Sequence, residues 1–417
     1  MSFIWLPVIV DFVPGCRALL SKSHIKILPT GQGPLCTDMA ILVPIYGDVK
    51  YLTNIEFLSQ YGDRVILATT LEEKETFYTE LSMIAEQHGF RIVKTPVEIK
   101  KKKEGSRATS APIRDVIIRG AVRHVTHKYV VCIDADTIPE QGFDSLAGAM
   151  EEEGFEVVSV NLIVSNTDNR LGRLQSLEYF LSMRLRHIIP WLVSGGCHAA
   201  TTVAYRNIMD NHSMFFQGND VEVGMLGARM GYKVGHLDYK VGTEAPATVK
   251  QWRRQRYAWA GGEYRLGIRN LRYVPTHPLF FLYLTGITIL MWPIRWIFLY
   301  QAPWIIIPIY LVYLVLVSIL LKDHWRATVL LYPLYTLANS LILVPLGVIS
   351  YIQMSTKYSN WGKITFSPTK REYVLGDGLP PANISNSVGK KLDFKTPSGP
   401  TAISSSGLKT NIETANC

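Results

Sequence analysis

The stretch "YVVCIDADTIPE", Tyr129 to Glu140, places two carboxylates at the end of a short apolar run. The apolar part has the length and composition of a buried strand. Alternate residues of a strand point to the same side, so Asp134 and Asp136 are expected to face one ligand together. An Asp-containing tripeptide before a proline is also ordinary turn chemistry. The strand that precedes the pair favours the ligand site.

From residue 39, short apolar runs alternate with longer amphipathic segments. This alternation predicts parallel βαβ crossovers, and therefore an α/β domain whose sheet has helices on both faces. Ligands of such sheets bind at the carboxyl ends of the strands, where the carboxylate pair lies. The predicted strands are MAILVPIY, RVILATT, FRIVKT and KYVVCIDAD, and the predicted helices are DVKYLTNIEFLSQYG, KETFYTELSMIAEQHG and SAPIRDVIIRGAVRHV.

Three long apolar stretches follow residue 278, at Leu279–Tyr300, Ala302–Leu321 and Thr328–Ile349. A membrane-spanning helix needs about 20 apolar residues, and these stretches have that length. Basic residues lie both before and after them, which predicts that both flanks are cytoplasmic and that the number of crossings is even. Either one stretch is therefore interfacial or re-entrant, or the stretches Leu279–Leu321 and Thr328–Ile349 contain an additional turn between crossings. We expect a multi-pass protein of the cell membrane with a cytoplasmic catalytic domain.

The chain divides into five predicted parts. An anchor segment covers 1–38, a catalytic domain 39–275, transmembrane helices 276–352, a cytoplasmic Trp-Gly segment 353–376 and a disordered tail 377–417. The anchor segment is interrupted by prolines and an aspartate, and the tail is too poor in large apolar side chains to order itself.

Charge and cysteine usage limit the classes of function. The net charge of +9 is concentrated in clusters at 100–107 and 250–273, which favours anionic ligands or an anionic membrane surface. No motif supports binding to nucleic acid. The five cysteines form no CxxC pair, so neither a zinc site nor a disulfide framework is indicated, and a reducing compartment fits best.

Two later segments carry candidate chemistry. In "FFQGNDVEVGMLGARMGYKVG", from Phe215, Asp220 lies where a helix is predicted to begin, so it is either an N-cap or a general base held by a rigid helix start. In "TEAPATVKQWRRQRYAWAGGEYRLG", from Thr243, arginines alternate with aromatic residues. Arginine donates paired hydrogen bonds to phosphates, and flat rings suit sugars. The same composition is typical of an amphipathic helix on a membrane surface.

The order of these motifs resembles the processive family-two glycosyltransferases, which include hyaluronan, chitin, cellulose and bacterial capsule synthases. The resemblance covers about residues 39–365, and its elements are, in order, strand-"DAD", "SGGCHAATTVAYR", "GND" opening a helix, "TEAP", "QRYAW", apolar spans and "NWGKI". It implies a GT-A-like nucleotide-sugar-binding domain of mixed sheet, followed by a transmembrane helical region. It also implies a metal-dependent hexosyltransferase that extends a polysaccharide and translocates it across the membrane.

The resemblance implies a role for each matching residue. Asp220 would be the catalytic base, Asp134 would contact the nucleotide and the metal, and Asp136 would hold Mg²⁺ or Mn²⁺. The expected partners are a nucleotide-sugar donor, most simply a UDP-sugar, a growing glycan acceptor and the lipid bilayer. The expected substrate-binding residues are Asp134, Arg107, Ser194, Gly195, Cys197, Gln255, Arg256, Trp259 and Trp361.

The chain departs from the family pattern at several positions. Asn219 replaces an acidic residue before the catalytic Asp, and Ala258 replaces Arg before the Trp, so the diphosphate contact falls to Arg256 or Arg254. The Asp-rich turn for uracil is replaced by "ATTLEE", which leaves Thr69, Thr70 or Glu72. Two alternatives therefore stay open: a transferase that adds a single sugar to a lipid carrier, and a membrane component without catalysis.

Overall fold

The computed structural model describes residues 33–97, 113–214, 219–270, 291–322 and 327–357. Within these ranges, eight strands form one mixed sheet in the order β3-β2-β1-β4-β7-β6-β8-β5. Strands β1 to β4 pair in parallel, whereas β7 runs antiparallel to both β4 and β6. The strands are β1 Met39–Pro44, β2 Val65–Thr70, β3 Arg91–Thr95, β4 Tyr129–Ile133, β5 Ile138–Pro139, β6 Val157–Val164, β7 Cys197–Thr201 and β8 Val234–Thr243.

Twelve α-helices lie in the described ranges. They are α1 Ile55–Leu58, α2 Glu75–His88, α3 Ile113–Ala121, α4 Phe143–Glu153, α5 Arg170–Leu185, α6 Thr202–Asn211, α7 Asn219–Arg229, α8 Val249–Asn270, α9 Met291–Gln301, α10 Ile306–Leu320, α11 Ala327–Ala338 and α12 Val344–Lys357.

The predicted first four strands are confirmed, and so is the helix at α2. The single helix predicted over 48–62 is wrong. That segment holds a 3₁₀ turn at Val49–Tyr51, the one-turn helix α1 and a second 3₁₀ stretch at Ser59–Arg64. Gly62 has a φ of 50°, which a right-handed helix cannot include. The backbone N–H of Thr53 is directed away from a helical partner, to the carbonyl of Ala135 at 2.9 Å.

The sheet separates two hydrophobic cores. Alternate residues of β1 enter opposite cores: Met39, Ile41 and Val43 face one, and Ala40 and Leu42 face the other. All six β1 residues are buried, as expected for a parallel strand that is covered on both faces. The prediction of helices on both faces is therefore confirmed, and the turn after β4 is held between two packed layers.

Two helical stretches in the described ranges are long and apolar enough to cross a membrane, Pro303–Leu320 and Ala327–Gln353. Their positions agree with two of the three predicted stretches. Of the third stretch, Leu279–Tyr300, only the part from Met291 is described. The second helical stretch changes to a wider π-helical turn at Asn339–Leu343, between α11 and α12. The predictions for the N-terminal anchor before residue 33 and for the chain after residue 357 lie outside the described residues.

The apolar helices pack directly on the sheet domain. Helix α11 contacts α5, and α12 contacts α8 along much of its length. A Cβ added at Gly347 of α12 would lie 2.7 Å from both the Cβ of Ala260 and the carbonyl oxygen of Tyr257 in α8. Glycine is required there because the two backbones approach so closely. A shared apolar cluster joins α5, α8, α10 and α11 and contains Leu177, Trp252, Val317, Leu321, Val329, Tyr332, Tyr335 and Leu343.

Candidate functional site

The turn after β4 carries Asp134 and Asp136. The strand ends at Ile133, so both residues lie in the turn and not on the strand itself. The side-chain amide of Asn54, which is 1% exposed, donates to the carbonyls of Asp134 at 3.1 Å and Thr137 at 2.9 Å. The backbone N–H of Asp134 donates to the carbonyl of Gly196 at 2.9 Å. The turn is thus held from two sides, with the Asp136 side chain exposed.

Arg114 of α3 connects the turn to the segment before β7. Its Nε and Nη2 both lie 2.8 Å from Oδ1 of Asp134, and Nη2 also donates to the carbonyl of Gly195 at 2.7 Å. The Asp134 side chain retains 35% of its exposure despite this pairing. One carboxylate oxygen is therefore committed to the protein, and Oδ2 makes no described contact with Arg114.

Asp220 lies in the first turn of α7, as predicted, and borders the same site. A Cβ added at Gly195 would lie 3.0 Å from Oδ2 of Asp220, so the carboxylate is in direct contact with this glycine. The carboxylate also accepts hydrogen bonds from backbone N–H groups at Asp220 and Val221. Because Gly195 also contacts Arg114, it links the Asp134 turn to Asp220.

Burial raises the pKa of both carboxyl groups above their ordinary values. For Asp134, loss of solvation outweighs the opposing effect of Arg114, and the charges of Asp136 and Asp220 add to the increase. For Asp220, loss of solvation outweighs attraction by Arg114 and Arg186. The pKa of Asp134 thus responds to the charges of Asp136 and Asp220, and a cationic or proton-donating ligand beside Asp134 would be stabilised.

The raised pKa of Asp220 predicts a pH-dependent effect of Asp220→Asn on stability. The ionised carboxylate is the disfavoured form in the folded state, so the stability that Asp220 contributes at low pH is lost as the pH rises through its folded pKa. We expect the variant to melt at a higher temperature than the wild type near neutral pH. The gain should disappear near the ordinary pKa of 3.8. Thermal melts at both pH values test this, and an equal difference at both would contradict it.

Two expected acceptor-binding side chains lie behind the site and not on its surface. Ser194 is 1% exposed, and its hydroxyl donates to the carbonyl of Val160 at 3.0 Å. Cys197 is fully buried in β7 and packs in the core. Neither side chain is exposed at the surface of the site in this structure, so their contact with an acceptor stays a prediction. The backbone of Gly195 is the part of this segment that reaches the site.

Helix α8 forms the other side of the site. Trp259 is 37% exposed, and its ring centroid lies 6.3 Å from that of Tyr179 in α5. Arg256 is only 2% exposed, and its guanidinium lies 4.2 Å from the Trp259 ring centroid. The guanidinium pairs with Glu178, so an anionic ligand would compete with that carboxylate for Arg256. Of the two arginines considered for the diphosphate, Arg254 is the exposed one.

The one carboxyl side chain of α8, Glu263, has a shifted protonation equilibrium. Burial raises the pKa of Glu263 to about 7, against the effect of Arg256, and the charges of Glu178 and Asp220 raise it further. Glu263 therefore lies within electrostatic range of the candidate base. It is a titratable group of the site that the sequence motifs did not single out.

The carboxylates fit a divalent cation only in combination with a ligand. In the described ranges, no group of three or more His, Cys, Asp or Glu side chains could hold a metal ion by itself. Mg²⁺ is commonly held by one or two carboxylates together with substrate phosphates and water. The exposed carboxylate of Asp136 and the uncommitted oxygen of Asp134 meet that requirement, and their mutual repulsion favours a cation.

Other predicted positions are buried, hydrogen-bonded within the protein or outside the described residues. Thr69 and Thr70 are fully buried, and Glu72 accepts from the backbone N–H of Val97 at 2.9 Å. Gln255 accepts from Arg256 at 2.8 Å. Arg107, the lysines at 100–103 and Trp361 lie outside the described residues.

Besides Glu263, three residues of the site could not be predicted from the sequence, namely Asn54, Arg114 and Tyr46. Tyr46 follows β1 and is 40% exposed, and burial raises the pKa of its hydroxyl while Arg114 opposes and Asp134 adds to the increase. Its place as the last residue of a predicted parallel strand was the available signal for Tyr46. Arg114 and Asn54 had no comparable signal, because their partners are far away in the sequence.

Known proteins resemble this chain only distantly in structure, and one family model matches the part that holds most of the site. No curated protein matches the chain. Similar solved structures include glucosyl-3-phosphoglycerate synthase from Mycobacterium tuberculosis in complex with phosphoglyceric acid, at 13% identity and a TM-score of 0.33, covering 59% of this chain and 81% of that chain. They also include TarS 1-349 from S. aureus, at 12% identity and a TM-score of 0.34, covering 76% and 91%.

At TM-scores this low, the structural likenesses carry no argument. The family model described as "Glycosyl transferase family group 2" matches residues 129–321. That range includes Asp134, Asp136, Gly195, Asp220 and all of α8. Residues 129–321, which hold most of the candidate site, are thus similar to glycosyl transferase family group 2.

Proposed function

We propose that the protein is a membrane-embedded inverting glycosyltransferase that transfers sugar from a nucleotide-sugar donor, expected to be a UDP-sugar, to a growing glycan. The observation that carries the proposal is the grouping of Asp134, Asp136 and Asp220 around Gly195. These residues belong to three separate segments, and they meet at the end of β4 where ligands of α/β sheets bind. The family match over residues 129–321 supports sugar transfer as the chemistry.

Asp220 acts as the general base in this proposal. Its carboxylate takes the proton of an acceptor hydroxyl while the hydroxyl oxygen bonds to the anomeric carbon of the donor. The bond from that carbon to the diphosphate breaks on the opposite side, and the nucleoside diphosphate leaves with the bonding electrons. Burial favours this role because the raised pKa makes the carboxylate a stronger base.

Asp134 and Asp136 hold the donor end. Asp134 is oriented by Arg114 and faces the nucleotide, and Asp136 presents an exposed carboxylate. Mg²⁺ or Mn²⁺ bound there would offset the charge that develops on the leaving diphosphate. Arg254, exposed on α8, can approach the same diphosphate.

Helix α8 covers the acceptor in this proposal. The exposed ring of Trp259 and the neighbouring Tyr179 offer flat apolar surface to a sugar ring. Gln255 lies one turn before Trp259 and completes this element. Since apolar helices pack directly against α5 and α8, the growing polymer would leave along them, because its hydroxyls cannot cross hydrocarbon unpaired.

A donor panel tests the function. The full chain, purified in detergent, is incubated with individual nucleotide sugars and with Mg²⁺ or Mn²⁺, and product length is resolved. We expect a long polymer. If the product is a single sugar on a lipid carrier, the protein is a non-processive transferase. If no donor is turned over, the non-catalytic alternative is favoured.

Two adjacent glycines provide a matched pair of variants. In Gly195→Ala the new Cβ would lie 3.0 Å from Oδ2 of Asp220 and push the carboxylate away, whereas in Gly196→Ala it would lie 3.5 Å from Leu162, an ordinary contact. A catalytic group misplaced by about 1 Å lowers the rate about 10²-fold. The displacement of the Asp220 carboxylate is expected to be smaller than that, so we expect Gly195→Ala to lower kcat about tenfold. Gly196→Ala should retain wild-type kcat. Equal rates for the two variants would show that the contact with Asp220 does not matter.

A further inference from the structure

The hydroxyl of Tyr335 joins three helices at one buried point. Tyr335 is in α11, the first part of an apolar stretch, and is 7% exposed. Its Oη donates to Oε2 of Glu178 in α5 at 2.5 Å. It accepts from Nε1 of Trp252 at 2.8 Å and from Nη2 of Arg256 at 3.1 Å, both in α8. The hydroxyl thus uses its one donor and two acceptor positions completely.

The Tyr335 hydroxyl and its partner Glu178 both bind the guanidinium of Arg256. The guanidinium also pairs with Glu178 and donates from Nη1 to Gln255 at 2.8 Å. Its face lies against the ring of Trp259, at 4.2 Å from the centroid. If the buried guanidinium of Arg256 lost one hydrogen-bond partner, it would move to bond with another group. The ring of Trp259 would then lose its cation–π contact with that guanidinium.

We propose that Tyr335 and Glu178 are positioning residues that hold Arg256, and through it Trp259, in place over the candidate site. The apolar helix α11 is then a structural part of that site and not a separate anchor. This inference rests on the proposed function for its kinetic consequence only. The latch itself, defined as Glu178, Arg256 and Tyr335, is a property of the fold.

The close packing of the remaining helices supports this role. The rings of Trp252 and Tyr335 lie 5.1 Å apart, and Gly347 lets α12 approach α8 on the next turns. Helix α8 therefore packs along α12, and its Trp252 and Arg256 side chains bond to Tyr335 of α11. An anchor that only tethers the domain would need neither the saturated hydroxyl nor the buried ion pair.

Tyr335→Phe removes the hydroxyl and keeps the ring. Tyr310→Phe is the matched control, because it removes a hydroxyl that also joins two apolar helices, donating from α10 to the carbonyl of Leu330 in α11 at 2.9 Å. Glu178→Gln provides a second test that keeps the shape of the side chain. All three are made in the full chain and purified in the same detergent.

The first readout does not need activity. Arg253 and Arg254 are exposed on α8, so trypsin cleavage after them, measured by mass spectrometry against cleavage after exposed Lys74, reports release of this helix. We expect about tenfold faster cleavage in Tyr335→Phe and Glu178→Gln, the effect of one lost charge-assisted hydrogen bond, and no change in Tyr310→Phe.

The second readout is kinetic. We expect the KM for the acceptor to rise about tenfold in both latch variants while the KM for the donor stays at the wild-type value. Wild-type cleavage rates together with a wild-type acceptor KM would overturn the latch, and so would equal changes in Tyr310→Phe. If the wild type transfers no sugar but the latch variants are cleaved faster, the proposed function fails and the latch stands.

Discussion

Asp220→Asn is expected to lower kcat by about 10² to 10⁴, the contribution of a positioned general base. The amide keeps the size of the carboxylate and can still accept the backbone hydrogen bonds at the start of α7, but it cannot take a proton. The KM for the donor should change little, because the proposed function assigns the donor to the Asp134 turn. Single-turnover transfer to a defined acceptor oligosaccharide measures the chemical step directly.

The matched control is Asp144→Asn. Asp144 also lies in the first turn of a helix, α4, and pairs with Arg64 at 2.7 Å, away from the candidate site. We expect this variant to lose some stability and to keep its kcat. Normal turnover in Asp220→Asn, in protein that folds as the wild type does, would remove Asp220 from the role of base.

Asp136→Asn is expected to weaken the binding of Mn²⁺ in the presence of UDP by at least about 10²-fold, and to reduce turnover correspondingly at low metal concentration. Even residues that only support metal ligands change affinity by about 10 to 100-fold when replaced. Asp136 is the exposed carboxylate of the turn, and Oδ1 of Asp134 is already paired with Arg114. Electron paramagnetic resonance of free Mn²⁺ measures the affinity without requiring catalysis.

Glu140→Gln is the control for this experiment. Glu140 follows four residues later, is exposed, and lies 4.0 Å from Lys240, so its loss removes a negative charge from the same region. If Glu140→Gln weakens Mn²⁺ binding as much as Asp136→Asn does, the effect is general electrostatics and Asp136 is not a ligand. A large effect confined to Asp136→Asn supports the proposed site.

Local patterns account for what could be predicted of the fold. The strands β1, β2 and β4 are largely apolar runs, and helix α2 ends just before Gly89, whose φ of 71° suits the end of a helix. Each of these signals lies within a few residues of the element it predicts. The segment over 48–62 failed because its backbone groups bond to the distant turn after β4, which no local pattern records.

The residues of the site also divide into those that local sequence patterns predict and those that depend on long-range pairing. Asp134, Asp136 and Asp220 could be proposed from their places next to predicted elements. The burial of Ser194 and Cys197 could not be predicted, since it depends on how the segment leading into β7 packs between β4 and β6. The antiparallel pairing of β7 with these strands is a long-range event, and Cys197, its first residue, lies in the core.

The sequence by itself determined the alternation of strands and helices, the apolar stretches after residue 278 and the carboxylates at element ends, because hydrophobic periodicity and turn chemistry act over short distances. Only the tertiary structure decided that Arg114 orients Asp134, that Gly195 touches Asp220 and that Tyr335 holds Arg256. These contacts join residues up to 79 positions apart. They exist because a buried charge must find a partner wherever the packed chain brings one within reach.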